Sequence, residues 1–404
     1  MELMPDKWGV QPFGKSYAEP SRNGIYKSAE FQGRGTRIVN MGEMFGFEFI
    51  SNQEMSRIAL TPKEMSITDL RDGDLLFGRR SVVPAGAGKC SLVVDPSEPL
   101  TFESSIIRVR LKQTIAYPLF YYYFFYSSQG RNLMSNIIAG TNIKGIRGSE
   151  LRELRIPSPS LTEQQAIASA LSDIDALLDS LDSLIAKKRD LKQAAMQQLL
   201  TGQTRLPGFS GEWDVKRLGD LAQMGSGGTP LSSVASYYDG DIPWVSIADM
   251  TKGGKIIHST DRNISAEGFS NSAVQMFPAG SILYAMYASL GECSIAGISL
   301  CTSQAILGIK PNEKLVGEFL YYLLISLKPT VKTLGQQGTQ SNLNKAMVQG
   351  FKISLPVIAE QNAIVSILQT MDAELTALEQ RRNKTTALKQ GMMQELLTGR
   401  TRLV

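Results

Sequence analysis

Residues 191–206 read "LKQAAMQQLLTGQTRL", and residues 388–403 read "LKQGMMQELLTGRTRL". A shift of 197 positions superposes them, and the same shift carries 155–206 onto 352–403 without a gap. Roughly half of the positions are identical, far beyond chance for so long a window. Pro159, Glu163, Gln164, Ala166, Ile167, Leu171, Asp175 and Leu178 fall on Pro356, Glu360, Gln361, Ala363, Ile364, Leu368, Asp372 and Leu375. A segment written twice predicts two copies of one structural unit.

Each copy reads as a long helix. Ile167, Leu171, Ile174, Leu178, Leu181 and Ile185 follow one another at spacings of four and three, and Ile364, Leu368, Met371, Leu375 and Leu378 repeat the pattern. That is a coiled-coil seam. Ser160 stands three residues before Glu163, a capping-box signature, where the second copy has Val357. Gly202 and Gly399 mark the ends. Each helix is expected to run about 40 residues, hence about 60 Å. Alone, each would leave its apolar stripe wet. Its own repeat is the nearest partner, and the domain between them favours an antiparallel pair with pseudo-two-fold symmetry. Such a pair would bring the two chain termini near each other. Leu177, Met196, Leu199 and Leu200 widen the apolar surface and predict a second face for another protein.

The preceding segments repeat more faintly. "WGVQPFG" from Trp8 answers "WDVKRLG" from Trp213, and "IVNMGEM" ending at Met44 answers "WVSIADM" ending at Met250. "GKCSL" from Gly88 answers "GECSI" from Gly291, "FYY" from Phe120 answers "LYY" from Leu320, and "GTN" from Gly140 answers "GTQ" from Gly338. The order of landmarks holds while the offset drifts, as loop insertions would produce. The expected layout is a variable domain at 1–150, a helical spacer at 151–206, a second such domain at 207–347 and a second spacer at 348–404. Short strand patterns such as "DGDLLFG" and "AGSILYA" beside helical runs place both variable domains in the mixed α/β (α+β) class. The aromatic run "YPLFYYYFFYSS" reads as a buried helix rather than a platform for stacked bases.

Composition is that of an ordinary globular protein, with 43% apolar and 20% charged residues. A net charge of +4 permits a nucleic-acid partner without requiring one. Cys90, Cys293 and Cys301 are too sparse for a disulfide framework or a zinc site, which points to a reducing cytoplasm. No apolar run has the length of a membrane span, and no signal-peptide pattern opens the sequence.

Catalytic patterns are not found. His258, the single histidine, has no cysteine or carboxylate pattern around it and reads as a surface residue. "GAGK" (86–89 with Ala87 and Gly88 between) lacks the earlier glycine of a P-loop, having Val83, and has Cys90 in place of Ser/Thr. Cys90 and Cys293 occupy equivalent positions and read as small buried residues. The polar loops are better candidates for contacts with DNA. They contribute Arg34, Arg37, Arg79, Arg80, Lys89, Lys144 and Arg147 in the first domain. In the second they contribute Ser226, Gly227, Gly228 and Thr229 of "GSGGTP", Lys252, Lys255, and Gln340, Ser341, Asn342, Asn344 and Lys345 of "QQGTQSNLNK". Arg and Lys would meet phosphates, the glycines would allow close backbone approach to a phosphate, and Gln and Asn would read base edges.

The combination resembles the specificity subunits of type I restriction–modification systems. The resemblance rests on "IPSPSLTEQQAIASALSDIDALLDSL" from Ile156, the junction "LLTGQTRLPGFSGEWDVKRLGDLA", "SGGTP" and "GDIPWVSIADM", and it spans the chain. It implies a DNA-binding subunit that catalyses nothing and reads a split double-stranded DNA site, one half per domain. It also implies that the helical rod sets the gap and docks two methyltransferase subunits, with restriction/motor subunits joining the complex. The chain itself would bind no cofactor; S-adenosylmethionine, ATP and magnesium would belong to the partner subunits. By the same resemblance "GSGGTP" and "GTQSNLN" would lie near DNA, while the first domain has "SYAEPSRNGIY" (16–26) in place of the former. A self-contained nuclease or methyltransferase, and a coiled-coil adaptor without DNA, are the rival readings.

Overall fold

A computed structural model of the protein describes residues 8–83, 86–140, 142–337 and 342–403. It divides into two compact units, Met1–Asp182 with Gln380–Val404, and Ser183–Glu379. These units cut across the expected spacers: each contains one variable domain and about half of each long helix. The helices are Leu161–Leu199 and Ile358–Leu396, each 39 residues long. Both end in a glycine with positive φ, Gly202 at 71° and Gly399 at 73°, a conformation that a side chain at Cβ would oppose.

In the first unit a five-stranded sheet runs in the order Arg22–Asn23, Ile106–Val109, Leu75–Gly78, Cys90–Val93, Phe49–Ile50. A three-stranded sheet joins Arg57–Ile58, Gln32–Val39 and Leu100–Phe102. The central strands are buried on both faces, which is why they read as continuous apolar runs. The helix Pro118–Tyr126 carries the aromatic run, and Phe120 to Phe125 are all buried in the core. The run is core, as the sequence indicated.

The second unit repeats the plan. Its five-stranded sheet has the order Ala222–Ser226, Ile306–Pro311, Ile282–Ala285, Cys293–Ala296, Ile256–Ile257. A four-stranded sheet replaces the three-stranded one, by addition of Met276–Phe277. Registers match residue for residue. Phe77 faces Cys90 and Tyr284 faces Cys293; Leu75 faces Val109 and Ile282 faces Ile309. Cys90 and Cys293 are thus equivalent, buried, and have thiol pKa values pushed up by burial, which leaves them without thiolate character.

Within each unit the two helix segments run antiparallel, because partners on one rise in number as those on the other fall. In the first unit Glu163 pairs with Arg402, Asp175 with Lys389 and Asp182 with Arg382. In the second Lys188 pairs with Glu374, Lys192 with Asp372 and Arg205 with Glu360. The seam residues Ile167, Leu171, Leu181, Ile185, Ile364, Leu368 and Leu375 are buried, and Ile174, Leu178, Met371 and Leu378 half-buried. Ile167 and Leu171 join the first domain's core with Trp8, Leu396 and Leu397. Ile364 and Leu368 join the second's with Met196, Leu199 and Leu200.

That last contact corrects one expectation. The apolar face of Met196, Leu199 and Leu200 is covered by Leu218, Leu221 and the rest of the second domain's core, so it is not an open face for another protein. The helix had more apolar residues than a seam needs because it also supports a domain.

Candidate nucleic-acid interface

Three side-chain joints fix each domain on its helices, and all three occur twice. Glu163 is fully buried at the start of its helix, accepting from Trp8 Nε1 at 3.2 Å and from Arg402 Nη2 at 2.6 Å. Glu360 accepts from Trp213 Nε1 at 3.0 Å and from Arg205 Nη2 at 2.7 Å. Each arginine lies over its tryptophan ring, at 5.7 Å for Arg402 and Trp8 and 5.5 Å for Arg205 and Trp213. Trp8 and Arg402, near the two ends of the described chain, therefore meet as the sequence reading required. The capping box is half formed: Ser160 Oγ accepts from the Glu163 N–H at 3.2 Å, but the Glu163 carboxylate has turned to Trp8 and Arg402.

Gln164 forms the second joint. Its amide donates to the carbonyls of Pro159 and Ile115 and accepts from the Tyr117 N–H, bridging helix and domain. Gln361 does the same with Pro356, Lys314 and Val316. The third joint is Tyr123 hydroxyl to Asp175 at 2.7 Å, with Lys389 beside it, mirrored by Tyr322 to Asp372 at 2.5 Å with Lys192. Burial alone would raise the Asp372 pKa, but hydrogen bonds from Lys192 and Tyr322 hold it below the ordinary value. These joints correct the alignment of the aromatic runs by one residue: Tyr123 corresponds to Tyr322, and Phe120 to Phe319, each of which packs edge-on to its tryptophan.

With the domains so held, one end of each five-stranded sheet gathers the candidate loops. In the first unit these are 24–27, 79–81, 86–89, 103–105 and 142–147. Arg80 and Arg147 are exposed; Arg79, Lys89 and Lys144 are half-buried. Gly145 pairs with Arg80 and Lys144 with Ser81. The Ile146 N–H donates to the Arg79 carbonyl at 3.0 Å, while Arg79 Nη1 reaches the Ser104 carbonyl at 3.1 Å. Lys89 lies over the Phe45 ring, where burial lowers its pKa and Arg131 adds to the effect against Glu48. Five of the seven first-domain candidates thus meet in one basic cluster.

The other two do not join it. Arg34 is exposed between Gly33 and Gly35, on the three-stranded sheet. Arg37 is 5% exposed and ion-paired to Glu98 at 2.8 Å, so its guanidinium is engaged inside the domain.

In the second unit the Leu343 N–H donates to the Met286 carbonyl at 3.0 Å, the counterpart of Ile146 and Arg79. Asn344 then falls where Arg147 stands, and its Oδ1 caps the short helix Lys345–Gln349 by accepting from the Met347 N–H. Asn342, Asn344 and Lys345 are exposed; Gln340 and Ser341 lie outside the described residues. Lys252 is exposed and paired with Asp261 at 2.8 Å. Lys255 is turned inward, donating to Tyr322 hydroxyl at 2.8 Å and lying 3.6 Å from Asp372, so it belongs to the third joint. His258 is exposed, as expected.

The loop "GSGGTP" does not form a phosphate cradle. Gly227 and Gly228 are buried, and their N–H groups donate to the carbonyls of Ile306 and Thr302. A Cβ on Gly227 would come within 2.2 Å of the Ser303 carbonyl oxygen. The glycines permit close approach of protein backbone to protein backbone. Ser226 is half-buried and Thr229 exposed.

Among the described residues no helix is long and apolar enough to cross a membrane, and no group of His, Cys, Asp and Glu is arranged to hold a metal.

Two α/β domains with unlike loops, each fixed by the same joints to antiparallel helix segments, define a duplicated recognition scaffold. The family model "Type I restriction modification DNA specificity domain" matches residues 31–187 and 210–387, and the chain belongs to that family as a type I specificity subunit. The type I restriction enzyme MjaVIII specificity subunit of Methanocaldococcus jannaschii is 23% identical over 430 residues, covering 99% of this chain and 94% of that protein. Among solved structures, the type I restriction-modification S subunit from M. genitalium has a TM-score of 0.58 at 17% identity, covering 98% of this chain and 97% of that one. The HsdS subunit from Thermoanaerobacter tengcongensis has a TM-score of 0.52 at 19% identity, covering 98% of each chain. At such identities these likenesses concern the fold.

Proposed function

We propose that this subunit reads a bipartite double-stranded DNA site, one half per recognition domain, and itself catalyses nothing. The carrying observation is the contrast between joints and loops. Trp8, Glu163, Gln164, Tyr123 and Asp175 have exact counterparts in the second unit, whereas the loops at the sheet ends differ almost throughout. A scaffold repeated with invariant mounts and unlike loops suits two different half-sites. The basic cluster supplies phosphate affinity and the polar loops supply base discrimination. The paired helices would set the gap and dock two methyltransferase subunits, with restriction subunits joining them. S-adenosylmethionine, ATP and magnesium would be held by those partners, all in the cytoplasm.

The test is co-expression with the accompanying methyltransferase and mapping of methylated positions across a genome by single-molecule sequencing. A bipartite motif with a fixed gap is expected. A continuous motif would mean that one domain alone reads DNA. No methylation by a stable complex with an active partner would favour the adaptor reading.

A further inference from the structure

The strand registers fix residue by residue a correspondence that the sequences give only as a stretch, 16–26 against "GSGGTP". Asn23 faces Ile107 as Ser226 faces Leu307, and Arg22 faces Arg108 as Gly225 faces Gly308. The next residues keep step. The Gly24 N–H donates to the Ile106 carbonyl at 3.2 Å, and the Gly227 N–H to the Ile306 carbonyl at 3.1 Å. The Ile25 N–H donates to the Phe102 carbonyl and the Gly228 N–H to the Thr302 carbonyl, both at 2.9 Å. A Cβ on Gly24 would come within 2.2 Å of the Phe102 and Glu103 carbonyl oxygens, the same obstruction that surrounds Gly227. Thus "NGIYK" at 23–27 occupies the place of "SGGTP" at 226–230, and Tyr26 stands where Thr229 stands.

At that position the backbone is clamped and the side chain is free to project. Lys27 is anchored to Glu64 at 2.8 Å and to the Ala59 carbonyl. On the other domain Trp244 Nε1 donates to the Gly228 carbonyl at 2.9 Å, and Tyr238 hydroxyl to the Pro230 carbonyl at 2.7 Å. Between such anchors Tyr26 is 84% exposed, the most exposed of the large apolar side chains among the described residues. A tyrosine held out on a rigid turn contributes little to the core, and its ring, apolar with a polar tip, is left for contacts outside the domain. Its neighbour is the turn 103–105, which accepts from Arg79. In the second domain the corresponding turn carries Gln304, whose Oε1 accepts from the Thr229 hydroxyl. That bond fixes which end of the carboxamide points which way, a requirement for reading the N6 and N7 edge of adenine.

We propose that Tyr26 and the Thr229–Gln304 pair are matched specificity-determining positions, each contacting one base of its half-site. Tyr26 makes an apolar ring contact, with a thymine methyl as its natural target, and Gln304 makes a paired donor–acceptor contact with adenine. The proposal rests on the DNA reading above.

The experiment maps genome methylation by the complete complex of this chain with its methyltransferase partner, comparing the wild type with Tyr26→Ala, Tyr26→Phe and Gln304→Ala. Tyr26→Ala should relax one base position of one half-site, with discrimination there falling roughly tenfold or more, while Tyr26→Phe retains it. Gln304→Ala should relax one adenine position in the other half-site. The gap and the remaining positions should not change. An unaltered motif in both alanine variants overturns the proposal, as does a uniform fall in methylation without relaxation at any position. A wild-type complex that yields no bipartite motif would instead refute the underlying DNA reading.

Discussion

At the end of its sheet the first recognition domain presents Arg79 and Arg80; at the same register positions the second has the buried Met286 and the exposed Tyr287. Arg147 is answered by Asn344, and Lys89 by Glu292, which is ion-paired to Lys328. A basic loop cluster on one copy is therefore matched on the other by uncharged residues and one ion-paired acid. Behind the loops the relation reverses. Glu163 and Glu360, Gln164 and Gln361, and Asp175 and Asp372 make the same bonds to the same kinds of partner. Packing and buried polar satisfaction hold the mounts constant, since a buried carboxylate without its partners is costly. The loops carry no such duty and are free to differ.

The largest expected effect comes from altering the mounts in step. Insertion of one helical turn after Leu181 and after Leu378 adds about 5.4 Å to each helix. If the helices set the gap, the original site is lost as a substrate. A new one appears with the same half-sites and a gap changed by roughly one to two base pairs, at about 3.4 Å per step. Methylation mapping reads both quantities. Half-sites that change while the gap stays fixed would break the division between mounts and loops.

A smaller effect is expected from one joint. Asp372→Asn weakens charge-assisted bonds to Lys192 and Tyr322 and should lower Tm at neutral pH by on the order of 5 °C. Asp372 has a folded-state pKa below its ordinary value of 3.8. Its contribution is thus present above that value and is lost as the pH falls through the folded pKa. The Tm difference between variant and wild type should therefore shrink on acidification below about pH 4. Asp175→Asn should cost less at neutral pH, because Tyr123 and Lys389 stand where Tyr322 and Lys192 stand while Lys255, 3.6 Å from Asp372, strengthens the second joint. Equal costs at neutral pH would show that Lys255 adds nothing to the second joint.

The mounts were legible in the sequence because they are identical in both copies. Glu163, Gln164, Asp175 and the glycine ends stood out at a constant offset before any contact was known. The aromatic runs were misregistered by one residue because "FYYY" accommodates "FLYY" in more than one way. The bonds from Tyr123 and Tyr322 to aspartates about 50 positions away, with the packing of Phe120 and Phe319 on distant tryptophans, select the register. Arg37 and Lys255 looked like free loop cations because their acids, Glu98 and Asp372, are distant in sequence. Tyr26 closed the stretch set against "GSGGTP" but was not singled out within it, for a related reason. "RNGIYK" and "GSGGTP" share one glycine, and their equivalence lies in backbone hydrogen bonds, which leave almost no side-chain signature.

The smallest effect tests the loops' difference in charge. Phosphate contacts release counterions, and each one removed lowers the salt slope of binding by about 1. Arg80→Ala with Arg147→Ala, both exposed in the first domain, should reduce the slope of log K against log salt by roughly 2 in the intact methyltransferase complex. Tyr287→Ala, at the position that matches Arg80, should leave the slope unchanged and weaken binding equally at all salt concentrations. The half-site read by the first domain would then be the more salt-sensitive of the two. Equal slopes for the arginine pair and the tyrosine would mean that phosphate contacts come from elsewhere, for example from Lys345 and Lys252, the exposed cations among the second domain's candidate residues. In that event the basic cluster would owe its placement to something other than DNA, and the contrast between the domains would lie in base contacts alone.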